Sequence, residues 1–223
     1  MTLQGGAPIS EAVEEALTAC AAHGFARLRW PRDVPLGELA SAARMRVVDH
    51  RLLRAREREH ARPGTLSARF GREAFPWHTD GAHLGLPPRI SLMRALEPSV
   101  TPTLVLDLQL HLESADDLRR GLRRGVWTVH GGGRPFHAPA ISSHGQIRFN
   151  AAIMTPRTFE AMEAHAALES LLAAASGTPC TWSDADHVLV IDNARMLHAR
   201  PPVEDEARRL ERTLCESPHG LGL

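Results

Sequence analysis

Lysine and tyrosine are missing altogether from the 223 residues, cysteine occurs three times, and net charge is zero. Each absence excludes something. No apolar run approaches the ~20 residues that span a bilayer, so no membrane partner is expected. Met1 to Ile9 lacks the basic start and apolar stretch of a secretory signal. Cys20, Cys180 and Cys215 lie far apart with no CxxC pair, which speaks against a disulfide framework or a thiolate zinc site. A reducing cytoplasm is the expected location. With 26 basic residues, all arginine, balanced by 26 acidic ones, there is no electrostatic reason to expect nucleic acid as a partner. Apolar residues at 43% argue against disorder. GC-rich codon usage accounts for arginine standing in for lysine and for the abundant alanine. It does not account for 13 histidines, which invite a search for metal ligands.

Length and texture predict one domain over residues 1–223, with N-terminal helices between 10 and 60 packed on a β-rich core. Val13, Ala16, Leu17 and Cys20 recur at helical spacing, with Gly24 as a stop. Phe25 to Trp30 reads as a strand, and a second helical stretch is predicted from Leu36 to about Glu59. Beyond Pro63, short apolar runs alternate with Gly and Pro: Ile90–Leu96, Thr103–Leu108, Gly125–His130, Gln146–Phe149, Pro179–Trp182, His187–Ile191 and Arg208–Leu214. Such a series suggests a sandwich or barrel. Two helices interrupt it, at Ser114–Arg124 and Pro156–Ala174, the latter with Phe159, Met162, Ala166 and Leu171 as its apolar side.

Three features can carry chemistry. In Phe75-Pro-Trp-His78-Thr-Asp80-Gly81, residues i and i+2 of an extended segment point to one side, so an imidazole and a carboxylate can reach one metal ion. Chance gives about one or two such His-x-acidic pairs at this composition. There are two, and the other, His111-Leu-Glu113, leads into a charged helix. Downstream, the buried-strand pattern His187-Val-Leu-Val-Ile-Asp192 runs towards His198, which could complete a facial triad of two imidazoles and one carboxylate. The third feature is Arg208-Arg-Leu-Glu-Arg-Thr-Leu214. As a strand it would place Leu210 and Leu214 inward together with Arg208 and Arg212. A buried arginine is costly unless it meets an anion, and a bound dicarboxylate would supply one.

Together these stretches resemble the Fe(II)/2-oxoglutarate-dependent oxygenases of the taurine dioxygenase and clavaminate synthase-like group. The resemblance is carried by F-G-R-E-A-F-P-W-H-T-D-G with L-P-P-R-I-S-L-M-R-A-L, and by V-L-V-I-D-N-A-R-M-L-H-A-R-P-P-V with R-R-L-E-R-T-L. It implies a mostly β fold with flanking helices around a double-stranded β-helix, or jelly roll. It also implies Fe(II) and O2 as cofactors, with 2-oxoglutarate as cosubstrate. By the same resemblance, His78, Asp80 and His198 would bind iron. Arg208 would clamp the distal carboxylate of 2-oxoglutarate, with Arg212 near cosubstrate or substrate. Arg209 takes the clamp position if the alignment slips by one, against strand parity. Thr103 falls where the family places a hydroxyl on the same carboxylate, although Val100-Thr-Pro102 replaces the Gly-Gly pair that commonly precedes it. Asp80 favours hydroxylation or desaturation, since halogenating relatives carry a small residue in its place.

The substrate expectation is an amino-acid-derived small molecule or a carrier-tethered one, in a biosynthetic pathway. Arg148 and Asn150 are candidate substrate residues, and Gly81–Pro88 a candidate lid. Two rival readings remain: a zinc-dependent hydrolase using His78, Asp80 and His83, and a catalytically inert jelly-roll binding protein.

Overall fold

The computed structural model describes residues 9–54, 57–60, 66–131, 133–205 and 208–217. The stretch considered above for a secretion signal thus falls, at residues 1–8, outside them. Helix α1 (Ile9–His23) buries Val13, Ala16 and Cys20. It stops at Gly24, whose φ of +80° suits glycine and whose N–H donates to the Cys20 carbonyl at 2.8 Å. Strand β1 (Phe25–Arg29) and helix α2 (Leu36–Ala42) follow.

The predicted helix to Glu59 ends early. Arg44 takes a φ of 54°, and Arg46–Arg54 forms strand β2 instead, with a 3-10 turn at Arg58–His60. Residues 55 and 56 lie outside the described set. Backbone pairing with the chain's last strand outweighs the helical preference of the arginines, a long-range contact that local propensity does not register.

The remaining elements are α3 (Leu66–Phe70), β3 (Phe75–His78), β4 (Ile90–Ala95), β5 (Ser99–Asp107), α4 (Leu108–Leu112), α5 (Asp116–Arg124), β6 (Trp127–Val129), β7 (Phe136–Ala138), β8 (Met154–Pro156), α6 (Phe159–Ala174), β9 (Thr178–Trp182), β10 (His187–Asp192), β11 (Met196–Arg200) and β12 (Arg209–Glu216). They form two antiparallel sheets, β1-β10-β4-β12-β2 and β3-β11-β5-β9, and a small third sheet, β7-β6-β8. This is the mostly β architecture with flanking helices that was expected. From β2 to β5 and again from β9 to β12, consecutive strands alternate between the two main sheets, as a double-stranded β-helix requires.

Side-chain alternation makes each central strand serve two cores. Val188 and Val190 of β10 face α1 and α2, while Leu189 and Ile191 face the space between the sheets, beside Met93, Val105, Trp182 and Leu210. A third core joins β5 and β11 to α4, α5, α6 and the small sheet. No described helix is long and apolar enough to cross a membrane.

Helix α6 departs from its predicted face. Phe159 and Met162 are 71% and 52% exposed, and the buried residues are Ala161, Ala164, Leu168 and Leu172. The reason is close packing on α5. A Cβ on Gly121 would sit 2.8 Å from that of Ala164, and one on Gly125 would sit 2.7 Å from the Ala161 Cα. Only the small-residue face of α6 fits that approach.

Candidate metal centre

His78 ends β3 and pairs in register with His198 on β11. Facing positions on neighbouring strands bring side chains together, and the two imidazole centroids lie 4.1 Å apart. Asp80 follows on the turn that leaves β3. The candidate ligand atoms of His78, Asp80 and His198 all lie within 4.8 Å of one another, and all three residues are buried. This is the sole group of its kind among the described residues, and His83 is not part of it.

Several groups fix Asp80. Ser91, on β4, donates its hydroxyl to Asp80 Oδ2 at 2.9 Å. Asn193 clasps the backbone: its Oδ1 accepts from the Asp80 N–H at 2.8 Å, and its Nδ2 donates to the Asp80 and Pro88 carbonyls at 2.9 and 2.7 Å. Arg212 donates to Asp80 Oδ1. Ser91 and Asn193 were not singled out from sequence. Serine within the wholly buried strand Ile90–Ala95 was the available signal, since a buried hydroxyl needs a partner.

Protonation states favour ligation. Burial pushes both imidazoles down, His198 to about 3 with help from neighbouring His78 and Arg212. Both are therefore neutral at pH 7. Burial alone would raise Asp80, but Arg212, the two imidazoles and Ser91 outweigh it and hold the carboxyl at about 2. His78 Nδ1 donates to the Pro76 carbonyl at 2.9 Å, which leaves Nε2 with its lone pair. His198 Nδ1 is buried with no partner in the protein. Two neutral imidazoles and one carboxylate with an unmet nitrogen among them fit a divalent metal of the iron or zinc kind.

The imidazole shifts carry a stability consequence. Below pH 6.5 the unfolded chain binds protons that folded His78 and His198 refuse, so stability is fully present above pH 6.5 and is lost as pH falls. The Asp80 contribution has a lower window: it is intact above the ordinary carboxylate value of 3.8 and is lost as pH falls from there through about 2. Thermal melts of metal-free protein should therefore drop by several degrees between pH 7 and 5, at up to about 1.4 kcal/mol per pH unit for each histidine. His198→Gln should flatten that slope. A slope equal to wild type would refute the assignment.

A second cation, Arg208, is buried against β5, the strand that pairs with β11. Arg208 donates from Nε to the Thr101 carbonyl at 3.3 Å and from Nη2 to Thr103 Oγ1 at 3.5 Å. Thr103 Oγ1 also accepts from Trp182 Nε1 at 3.2 Å. Burial, then the charge of Arg200, lowers Arg208 to about 10 against the opposing pull of Asp205. Thr103 and Arg208 thus meet as expected. Arg209 points the other way and pairs with Glu97 at the surface, so strand parity favours Arg208.

The candidate substrate residues serve other ends. Arg148 donates to the carbonyls of Ala82 and Gly85 at 2.6 and 2.7 Å and to that of Leu84, and stacks over Phe136. Its donors are taken up by the loop following Asp80. With Gln146 donating to the Pro87 carbonyl at 2.7 Å and Asn193 to that of Pro88, the segment read as a lid is a pinned loop. Asn150 is buried, bridges His78 through the backbone, and accepts from the Ala152 N–H at 3.0 Å. Neither side chain is seen to join the three ligands.

No protein-family model matches this sequence, and no curated protein matches it. Solved structures do. The non-heme iron oxygenase OrfP in complex with Fe and alpha-ketoglutaric acid matches with a TM-score of 0.72, over 95% of this chain and 80% of that one, at 19% identity. An asparagine oxygenase in complex with Fe(II), 2S,3S-3-hydroxyasparagine and succinate matches with a TM-score of 0.71, over 92% and 79%, at 14% identity. Identities this low establish a shared fold.

Proposed function

We propose that the protein is a non-haem Fe(II)- and 2-oxoglutarate-dependent dioxygenase. The observation that carries this reading is the buried His-Asp-His ligand set, and Arg208, buried with few partners against β5, the strand that pairs with that of His198, supports it. A hydrolytic zinc site would explain the ligands and leave Arg208 without a purpose. An inert scaffold would explain neither.

His78, Asp80 and His198 would hold the metal, leaving other coordination positions to small molecules. Arg208 and Thr103 would receive the distal carboxylate of 2-oxoglutarate, the guanidinium supplying charge and the hydroxyl a further donor. Once bound, iron and cosubstrate supply oxygen activation, with 2-oxoglutarate converted to succinate and carbon dioxide as the substrate is hydroxylated or desaturated. The chain's own work is positional. Ser91 and Asn193 aim the Asp80 carboxylate, Pro76 fixes the tautomer of His78, and the pinned loop at 82–88 keeps the turn after Asp80 rigid.

Amino-acid chemistry is the favoured substrate class. One OrfP structure contains (3S)-hydroxy-L-Arg with succinate, and the asparagine oxygenase contains hydroxyasparagine. A cytoplasmic setting fits the three buried, unpaired cysteines.

The test is an anaerobic titration of metal-free protein with Fe(II) and then 2-oxoglutarate, followed by visible absorption. A weak charge-transfer band that needs both additions is the expected result. Zinc binding without a band would transfer the site to the hydrolase reading.

A further inference from the structure

We infer that the protein pairs with a second copy of itself through strand β2, edge to edge and antiparallel, about a two-fold axis at His50. The inference goes beyond the oxygenase reading and does not depend on it, since it concerns a surface that reading leaves unused.

Strand β2 (Arg46–Arg54) ends the larger sheet, with β12 on one side and no described strand on the other. One row of its backbone N–H and C=O groups is therefore open along a strand of nine residues. Folds commonly guard such an edge with proline, by keeping the strand short, or by covering it with a helix or loop. This strand contains neither proline nor glycine, and apolar side chains stand on it: Val47, Val48 and Leu52 are 41%, 38% and 44% exposed. They are three of the eight large apolar side chains exposed among the described residues, more than any other element carries.

The order of residues says what fits this edge. Read outward from His50, the strand is self-complementary: Asp49 answers Arg51, and Val48 answers Leu52. Two copies paired antiparallel with His50 opposite itself set each Asp49 against the partner's Arg51 and each Val48 against the partner's Leu52. Positions so paired differ by an even number. Open backbone groups of one copy therefore meet open groups of the other, and each face of the sheet continues into the same face of its neighbour. A slip of one residue would break both matches. A foreign strand would fit this pattern only by coincidence, whereas a second copy carries it by construction.

Arg51 is equipped for such a contact. Only its Nε is engaged, 2.9 Å from its own Asp49, and its two terminal nitrogens have no acceptor among the described residues. Its side chain is 60% exposed. A carboxylate can accept about four hydrogen bonds, so Asp49 can keep its contacts within the chain and still receive the partner's Arg51. Val48 is the extra residue of a bulge opposite the step from Leu214 to Cys215, which bounds the shared ribbon at that end. Arg46, beyond it, is already neutralised by Glu216. A ribbon this short is a small interface, and the dimer should dissociate at concentrations on the order of micromolar or above.

The test is sedimentation velocity of the whole chain at roughly 1 to 200 μM, with thermal melts to show that each variant is folded. The sedimenting mass should rise from one chain towards two. Arg51→Glu sets like charges opposite each other on both sides of the axis and should weaken the dimer by about tenfold or more. A second pair of variants leaves Asp49 and Arg51 in place. Val48→Arg/Leu52→Arg and Val48→Glu/Leu52→Glu should each stay monomeric alone and form a one-to-one heterodimer when mixed, because every guanidinium then faces a carboxylate. Association on mixing is a result that misfolding does not produce. A single chain throughout the concentration range, a dimer that these substitutions leave unmoved, or oppositely charged variants that do not associate would overturn the inference.

Discussion

Arg208→Ala should weaken 2-oxoglutarate binding by about 100-fold while leaving the fold as stable as before, or more so. Truncating one partner of a buried charged contact costs about 2–5 kcal/mol in binding, roughly 30-fold to several thousand-fold. Stability moves the other way because Arg208 is poorly served in the unliganded protein. It has one carbonyl and one hydroxyl at long distance, and burial together with Arg200 has lowered it to about 10. A residue that costs the fold something and is retained is a residue placed for a ligand. Anaerobic titration of the band gives the affinity, and a thermal melt without ligand gives the stability. Arg209→Ala, which removes only the surface pair with Glu97, should change neither. Thr103→Val should weaken binding by about tenfold, the worth of one hydrogen bond to a charged group. Unchanged affinity in Arg208→Ala, or a large effect in Arg209→Ala, would mean that the clamp has been misassigned.

Asp80→Ala should abolish tight Fe(II) binding and destabilise the metal-free protein at once. The carboxylate is one of three candidate ligands, and it is also the acceptor for Ser91 and a counter-charge for largely buried Arg212. Removing it leaves the guanidinium only its 3.5 Å contact to Asp49, which costs up to about 3–5 kcal/mol, or on the order of 10 °C in a chain of this size. Asp80→Asn separates the two effects. Its amide oxygen can still accept from Ser91, so the melt should fall less, yet it brings no negative charge to the metal. Equilibrium Fe(II) binding and thermal unfolding of both variants give the answer. A variant that keeps wild-type Fe(II) affinity would remove Asp80 from the ligand set.

The candidate metal ligands were legible because their geometry is local or anchored. His78 and Asp80 are two residues apart at the end of an extended segment, and His198 lies just past a strand so apolar that it had to be central. The same holds for Arg208 against Arg209, where strand parity alone separates a buried side from an exposed one. The errors came where several assignments satisfied the same pattern. Helix α6 is apolar on more than one side, and its buried face was chosen by Gly121 and Gly125 on another helix. Arg148 was read as a substrate residue, but its partners are three backbone carbonyls of the loop after Asp80, which no side-chain pattern announces.

By itself, then, the sequence determined the β-rich architecture, the ligand set and the buried arginine, all of which follow from alternation, spacing and the cost of burying charge. Only the tertiary structure decided that residues 46–54 form an edge strand, that Asn193 and Ser91 aim Asp80, and that Asp49 answers Arg212. Each of these depends on partners 11 to 170 residues away in the chain. Pairings of that kind are settled by backbone hydrogen bonds and packing across sheets, and local preference carries no record of them.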